Sequence, residues 1–104
     1  MQHMIVATHG PDTCPASRKE LREAYMPEMD RMAEIAKPHS VELGGGWADM
    51  PGHTIYIVVD APNAHAVAQF VSDLHLMDWN TVDVRPVITV EQATVRAGER
   101  EARR

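Results

Sequence analysis

The run from His53 to Asp60, with the sequence HTIYIVVD, constrains the fold more than any other segment of the chain. It is β-branched, aromatic and almost continuously apolar, which is typical of a central strand covered on both faces. The 104 residues predict a single domain around this strand, because domains typically contain roughly 100–150 residues. The hydrophobic fraction of 44% and the charged fraction of 24% are those of a globular protein.

Three further strands are predicted around this central one. Residues 4–8 form a short apolar run that ends in a turn at His9-Gly10-Pro11. A second strand begins at Ser40 and is interrupted by the glycines at 44–46, which suggest a bulge, so residues 47–52 are predicted as a connection. The last strand covers residues 81–90, and Pro86 favours a place at the edge of the sheet.

Two helices alternate with these strands. The first is predicted over residues 13–37, with Pro15 in its first turn and a capping box formed by Ser17 and Glu20. Pro27 lies inside this pattern and predicts a kink or two abutting helical pieces. The second helix follows Asn63, a suitable N-cap, and extends to about residue 77.

The resulting order, β-α-β-β-α-β, is that of the α+β ferredoxin-like fold, with a four-stranded antiparallel sheet and two helices on one face. Residues 1–92 are expected to form this domain, and residues 93–104 a charged tail that is frayed, disordered or ordered on a partner. The open face of so small a sheet exposes many apolar groups. We therefore expect a homodimer in which the sheets of two copies face each other.

This topology predicts that most of the chemically versatile side chains meet at one end of the sheet. His9 and His53 are expected to lie nearly opposite each other, because the first and third strands are antiparallel neighbours. His39 and His65 are expected at the other end. His3 is set aside because His-Met is a common cloning junction. The residues expected to share the first end are His9, Cys14, Trp47, Asp49, His53, His75, Asp78 and Trp79.

Two segments, THGPDTCPA from Thr8 and GHTIYIVVDAPNAHAVAQF from Gly52, carry a resemblance to a known superfamily. Over about residues 4–92 the chain resembles the dimeric α/β-barrel superfamily, in particular small bacterial members with a His-x4-Cys-Pro opening. The resemblance implies the ferredoxin-like fold and a hydrophobic pocket between sheet and helices. The superfamily includes isomerases, cyclases, cofactor-free monooxygenases, haem-degrading enzymes and metal-binding proteins, so it implies no single function.

The first hypothesis is a transition-metal site. His9, Cys14 and His53 offer two imidazoles and a thiolate, with His75 or Asp49 as a fourth ligand. This donor set suits Zn²⁺, Cu or Ni²⁺ better than Mg²⁺ or Ca²⁺. An open coordination position would allow a small ligand or an activated water to bind.

The second hypothesis is an enzyme without a cofactor, an isomerase, cyclase or monooxygenase acting on a small aromatic, lactone or polyketide-like substrate. His9 or His53 would act as a base that Asp49 orients. The predicted position of Cys14 at the start of a helix would favour the thiolate form of its side chain. The aromatic residues expected to line its pocket are Trp47, Tyr56, Phe70 and Trp79. For Tyr56 and Phe70, core packing is the competing interpretation.

Two further possibilities stay open, namely a haem protein with His75 as axial ligand and a non-catalytic ligand sensor. The net charge of −5 and the lack of a long basic stripe disfavour nucleic acid as a partner. No apolar run reaches the roughly 18 residues of a membrane span. The single cysteine excludes an internal disulfide and favours the reducing cytoplasm.

Overall fold

A single antiparallel sheet organises the protein, whose structure, a computed structural model, describes residues 1–104. The strands are β1 (Gln2–Thr8), β2 (Glu42–Asp49), β3 (Thr54–Asp60) and β4 (Thr81–Pro86). They pair in the order β2-β3-β1-β4. The predicted central place of the third strand and edge place of the fourth are therefore confirmed.

Four helices accompany the sheet. They are α1 (Lys19–Asp30), α2 (Met32–Ala36), α3 (Ala64–Asp73) and α4 (Val90–Ala102). The elements up to β4 follow the predicted βαββαβ order, with the first helix in two pieces, so the ferredoxin-like α+β fold is confirmed. None of the helices has the length and apolar character needed to cross a membrane.

The core lies between one face of the sheet and the helices. Ile5 of β1 and Ile57 of β3 are register partners, and both are almost completely buried on this inner face. Phe70 and Val67 of α3 pack onto them and have no exposed surface. Met29 of α1 packs against the same core. Alternation along the strands thus places every second side chain of β1 and β3 under the helices.

The opposite face of the sheet carries no helix of this domain. Val6 pairs with Tyr56 and Met4 with Val58, so these four side chains share this outer face. Tyr56 is 37% exposed, and Trp47, the register partner of Tyr56 on β2, is 61% exposed. The outer face is therefore apolar and open to solvent.

The first helix begins later than the sequence predicts. Residues 14–18 form a turn in which Cys14 O accepts hydrogen bonds from the backbone N–H groups of Ser17 and Arg18. The N-cap of α1 is Arg18, without a side-chain cap, so the predicted capping box of Ser17 and Glu20 is wrong. The division into two helical pieces is confirmed, but the break is not at Pro27, since α1 continues through Pro27 to Asp30 and Arg31 separates it from α2.

The second strand is longer than predicted and runs through the three glycines. A register shift between Leu43 and Gly45 absorbs the extra residue as a bulge. Trp47 and Asp49 consequently belong to β2, whereas the sequence places them in a connection. The second helix, α3, ends at Asp73, earlier than predicted, and a short 3₁₀ turn at Leu76–Asp78 follows.

Both ends of the chain form regular secondary structure that the sequence did not predict. His3, set aside as a cloning remnant, is an inner-face residue of β1 with 1% of its surface exposed. The C-terminal segment forms α4, which begins with a complete capping box of Thr89 and Gln92. Every residue of α4 is exposed, so this helix extends away from the core.

Candidate metal centre

His9 and His53 are brought together by the pairing of β1 with β3. Thr8 and Thr54 are register partners at the end of this ladder, and the His9 backbone N–H donates to His53 O at 3.0 Å. The two imidazole centroids are 5.4 Å apart. The predicted juxtaposition of these histidines is therefore confirmed.

Cys14 completes a group of three metal-ligating side chains. It lies in the turn before α1 with 6% of its surface exposed. Its Sγ and one nitrogen from each of His9 and His53 all lie within 4.8 Å of one another. Ligands of a tetrahedral zinc ion are roughly 3.5 Å apart, so a contraction of about 1 Å closes this group around an ion.

Each of the two imidazoles has a nitrogen without a hydrogen-bond partner. His9 Nδ1 lies 2.8 Å from Asn80 Oδ1, whereas His9 Nε2 is buried and has no hydrogen-bond partner. His53 Nδ1 is also buried and without a partner. Buried polar atoms are nearly always satisfied in folded proteins, so two such nitrogens beside a thiol lack partners that a metal ion could supply.

Asn80 is the site residue that sequence reasoning missed. Its Nδ2 donates to Leu76 O at 3.0 Å, which orients Oδ1 as the acceptor for the His9 Nδ1–H. The register of β4 on β1 explains the contact, because Thr81 is the register partner of Thr8 and Asn80 and His9 extend this pair by one residue. No local sequence pattern gives this register.

The backbone of His53 is held in the left-handed region. Its φ is +50°, which is uncommon for a residue with a side chain. The turn that imposes this conformation includes a hydrogen bond from His53 N to Met50 O and another from Gly52 N to Asp49 Oδ1. Strained backbone of this kind is concentrated at functional sites.

A cavity of about 280 Å³ adjoins the three ligands. Its walls are mostly apolar, with Met26 and Met29 from α1 facing Ile55 from β3. Arg22 also lines it, and the Arg22 Nη1 donates to Pro15 O and Ala16 O, which fixes the turn that carries Cys14. This size and apolar lining suit the body of a small organic molecule.

Of the four aromatic residues expected to line the pocket, only Trp79 does so. Trp79 lines the cavity, and its ring centroid lies 5.1 Å from that of His9. Phe70 is instead fully buried in the core, and Tyr56 lies on the outer face because of its alternation with Ile55 and Ile57. Trp47, on edge strand β2, borders a neighbouring groove.

The two residues proposed as fourth ligands lie outside the group of three. Asp49 lines the cavity, but its Oδ1 accepts the Gly52 N–H and stabilises the turn. His75 is exposed, and its Nδ1 lies 3.3 Å from Asp78 Oδ2. His39 is also elsewhere, with its Nε2 2.6 Å from Asp73 Oδ2, and His65 is exposed on α3.

The model of the family DUF3303, described as a domain of unknown function, matches residues 1–100. No curated protein matches the chain.

Proposed function

The chain belongs to the DUF3303 family, and we propose that it binds a transition metal ion through His9, Cys14 and His53. The observation that carries the proposal is the convergence of their three ligand atoms within 4.8 Å. The unpaired, buried His9 Nε2 and His53 Nδ1 support it, because an ion between them removes the cost of leaving both nitrogens unsatisfied.

The donor set favours Zn²⁺, Cu or Ni²⁺. Imidazole nitrogen and thiolate sulfur are ligands of borderline-soft metals, whereas Mg²⁺ and Ca²⁺ select oxygen. The hydrogen bond from His9 to Asn80 is of the kind that orients a metal-ligating histidine through its second nitrogen. Cys14 is a free thiol, which persists in a reducing compartment, so we also propose a cytoplasmic location.

Three protein ligands leave one position of a tetrahedral ion open. In metalloproteins an open position of this kind is the mark of a catalytic or ligand-binding site, whereas structural zinc sites use four protein ligands. The cavity beside the group gives a small molecule access to that position. We therefore propose a metal site that takes an exogenous ligand.

Metal analysis of protein purified without a histidine tag tests this function directly. We expect the protein to bind one zinc ion per chain, and His53→Ala and Cys14→Ser to reduce that stoichiometry sharply. His65→Ala and His75→Ala are matched controls, because both histidines are exposed and outside the group. A wild-type protein that fails to bind zinc, copper or nickel contradicts the proposal.

A second candidate, proton transfer without a metal, is favoured by the geometry of His9. Asn80 fixes the ring so that Nε2 keeps its lone pair beside an apolar cavity, as a general base requires. An isomerase, cyclase or monooxygenase acting on a small aromatic, lactone or polyketide-like substrate would use such a base. Activity on such a substrate that survives chelation of metals would favour this candidate over the first.

We also propose that two copies pair through the outer faces of their sheets. The face is apolar around Tyr56 and Val58, and it is flanked by an ion pair of Asp83 with Arg85 on β4. Under a two-fold axis such a pair is self-complementary, since the acid of one copy faces the base of the other. The resemblance to the dimeric α/β-barrel superfamily supports the same arrangement.

A further inference from the structure

The cavity beside the metal ligands adjoins a second space between α1 and β2. This groove has a volume of about 610 Å³, and Met29, Ala48 and Ile55 line both spaces. We call the two together the chamber. Its walls place chemically different groups at its two ends, and these groups define the kind of molecule that fits.

The polar groups of the chamber are concentrated at the end near the histidines. His9, Cys14 and His53 lie there with Arg22, and none of these residues borders the groove. The groove is lined by apolar side chains and glycines alone, with Met32 and Leu43 at its walls. A molecule that fills the chamber therefore needs a polar head and an apolar tail.

The charge of the polar end favours an anionic head. Arg22 forms hydrogen bonds to backbone carbonyls but no ion pair, so its positive charge is not neutralised. Asp49 is the one acidic residue that lines this end, and it is engaged by Gly52. A bound divalent ion adds further positive charge, which a carboxylate can neutralise while ligating the open position.

A buried donor without an acceptor supports a head that carries oxygen. Trp79 is 5% exposed, and its Nε1–H has no hydrogen-bond partner. The indole nitrogen only donates, so it cannot be a metal ligand, and the metal alone does not satisfy it. An oxygen seated close to Trp79 would provide the missing acceptor.

The space for the tail exists because β2 carries glycine where a side chain would project into it. Gly46 is the register partner of Ile57 and therefore lies on the inner face. A Cβ at Gly46 would make only ordinary contacts, the nearest with Tyr56 O at 3.6 Å. The strand thus tolerates a side chain at this position, and the groove is open only because glycine supplies none.

From these observations we propose that the site takes an amphipathic carboxylate, with its carboxylate at Arg22 and the metal and its aliphatic or aryl tail in the groove beside Gly46. The metal contact of this proposal rests on the metal site proposed above. The contacts with Arg22 and the groove are independent of it.

Methionine-methyl NMR with hexanoate as the probe tests the proposal on zinc-free and zinc-treated protein. We expect saturable shifts of the methyls of Met29, which borders both spaces, and Met32, which borders the groove. Met77 is exposed and outside the chamber, so its methyl serves as an internal control. Hexylamine, with the same tail and the opposite charge, should cause no such shifts.

Variants separate the head from the tail. Arg22→Gln should weaken hexanoate about tenfold, because it removes the positive charge that faces the carboxylate, and Arg22→Lys, which keeps the charge, should retain most of the affinity. Gly46→Leu should weaken hexanoate at least about tenfold by displacing several methylenes, and it should leave acetate unaffected. Gly98→Leu, at a glycine of α4 with open space around it, is the control.

Each outcome decides between the two proposals. If zinc binds and hexanoate shifts neither methyl, the carboxylate site is overturned and the metal site stands. If hexanoate binds as expected and zinc does not, the metal site fails and the carboxylate site is retained. Equal shifts with hexanoate and hexylamine would overturn the role of Arg22 and with it the proposal.

Discussion

His9 Nδ1 lies 2.8 Å from Asn80 Oδ1, and this contact determines which nitrogen of His9 is available for chemistry. The Asn80 amide is itself held by its bond to Leu76 O. Nδ1 of the neutral imidazole therefore carries the proton, and Nε2 keeps the lone pair that a metal ligand or a base needs.

Removal of this contact should weaken the metal site without removing a ligand. We expect Asn80→Ala to lower zinc affinity about 10- to 100-fold, the usual effect of losing a group that orients a metal-bound histidine. Asn80→Asp keeps an acceptor and should retain most of the affinity. Competition with a chromophoric chelator measures the change, and Asn63→Ala, at the N-cap of α3, is the control for a distant asparagine.

An Asn80→Ala variant that binds zinc as tightly as the wild type would show that His9 does not ligate through Nε2. If zinc binding is unchanged in Asn80→Ala but is still lost in His53→Ala, the ion lies between His53 and donors other than His9 Nε2.

The strained backbone at His53 predicts an unusual order of stability. Because φ is +50°, glycine should be favoured over alanine there, and His53→Gly should be more stable than His53→Ala by about 1 kcal/mol. Both variants lose the metal ligand. At Gln69, an exposed residue in the middle of α3, the order should reverse, since glycine inside a helix is about 0.5–1 kcal/mol less favourable than alanine.

Urea unfolding of the four metal-free variants gives these differences. Alanine at residue 53 as stable as glycine would argue that the turn relaxes and that no strain is stored at this ligand.

The link between the chain start and the end of β3 predicts a pH dependence. The Met1 amino group lies 2.8 Å from Asp60 Oδ1, and this hydrogen bond and charge lower the pKa of Asp60 below its usual 3.8. A lowered pKa contributes stability above the unfolded value, and that contribution is lost as the pH falls through the folded pKa. The effect is small because the pair is exposed to solvent.

We therefore expect Asp60→Asn to lower the urea midpoint slightly at about pH 5 and to have no effect near about pH 2. Asp30→Asn, at an exposed carboxylate of α1 without an ion pair, should leave the urea midpoint unchanged at both pH values. A difference that grows on acidification would contradict the assigned direction.

The outer face of the sheet predicts an effect on assembly. Tyr56→Arg and Val58→Arg each place like charges opposite each other in a two-fold interface, so we expect both to convert a dimer into monomers. Val90→Arg, on the exposed helix α4, is the matched control. Sedimentation velocity measures the change, and a wild-type protein that is monomeric at micromolar concentration would contradict the pairing.

Much of the site followed from the sequence because strand pairing translates directly into neighbouring residues. The antiparallel pairing of β1 with β3 was enough to bring His9 and His53 together, and Cys14 follows β1 within a few residues. Helix boundaries were less reliable. The late start of α1 at Lys19 means that Cys14 lies in a turn, so the predicted helix-dipole effect on its thiol loses its structural basis.

Local sequence patterns were enough to predict the order of elements up to β4 and the central strand, because β-branched runs and turn residues act locally. Which face each side chain occupies and how far each element extends depend on tertiary packing. The bulge at Leu43 and Gly45 sets the register that leaves the groove beside Gly46 open. The contact between His9 and Asn80 spans 71 residues of chain. Such contacts depend on how distant segments pack together, which no local pattern encodes.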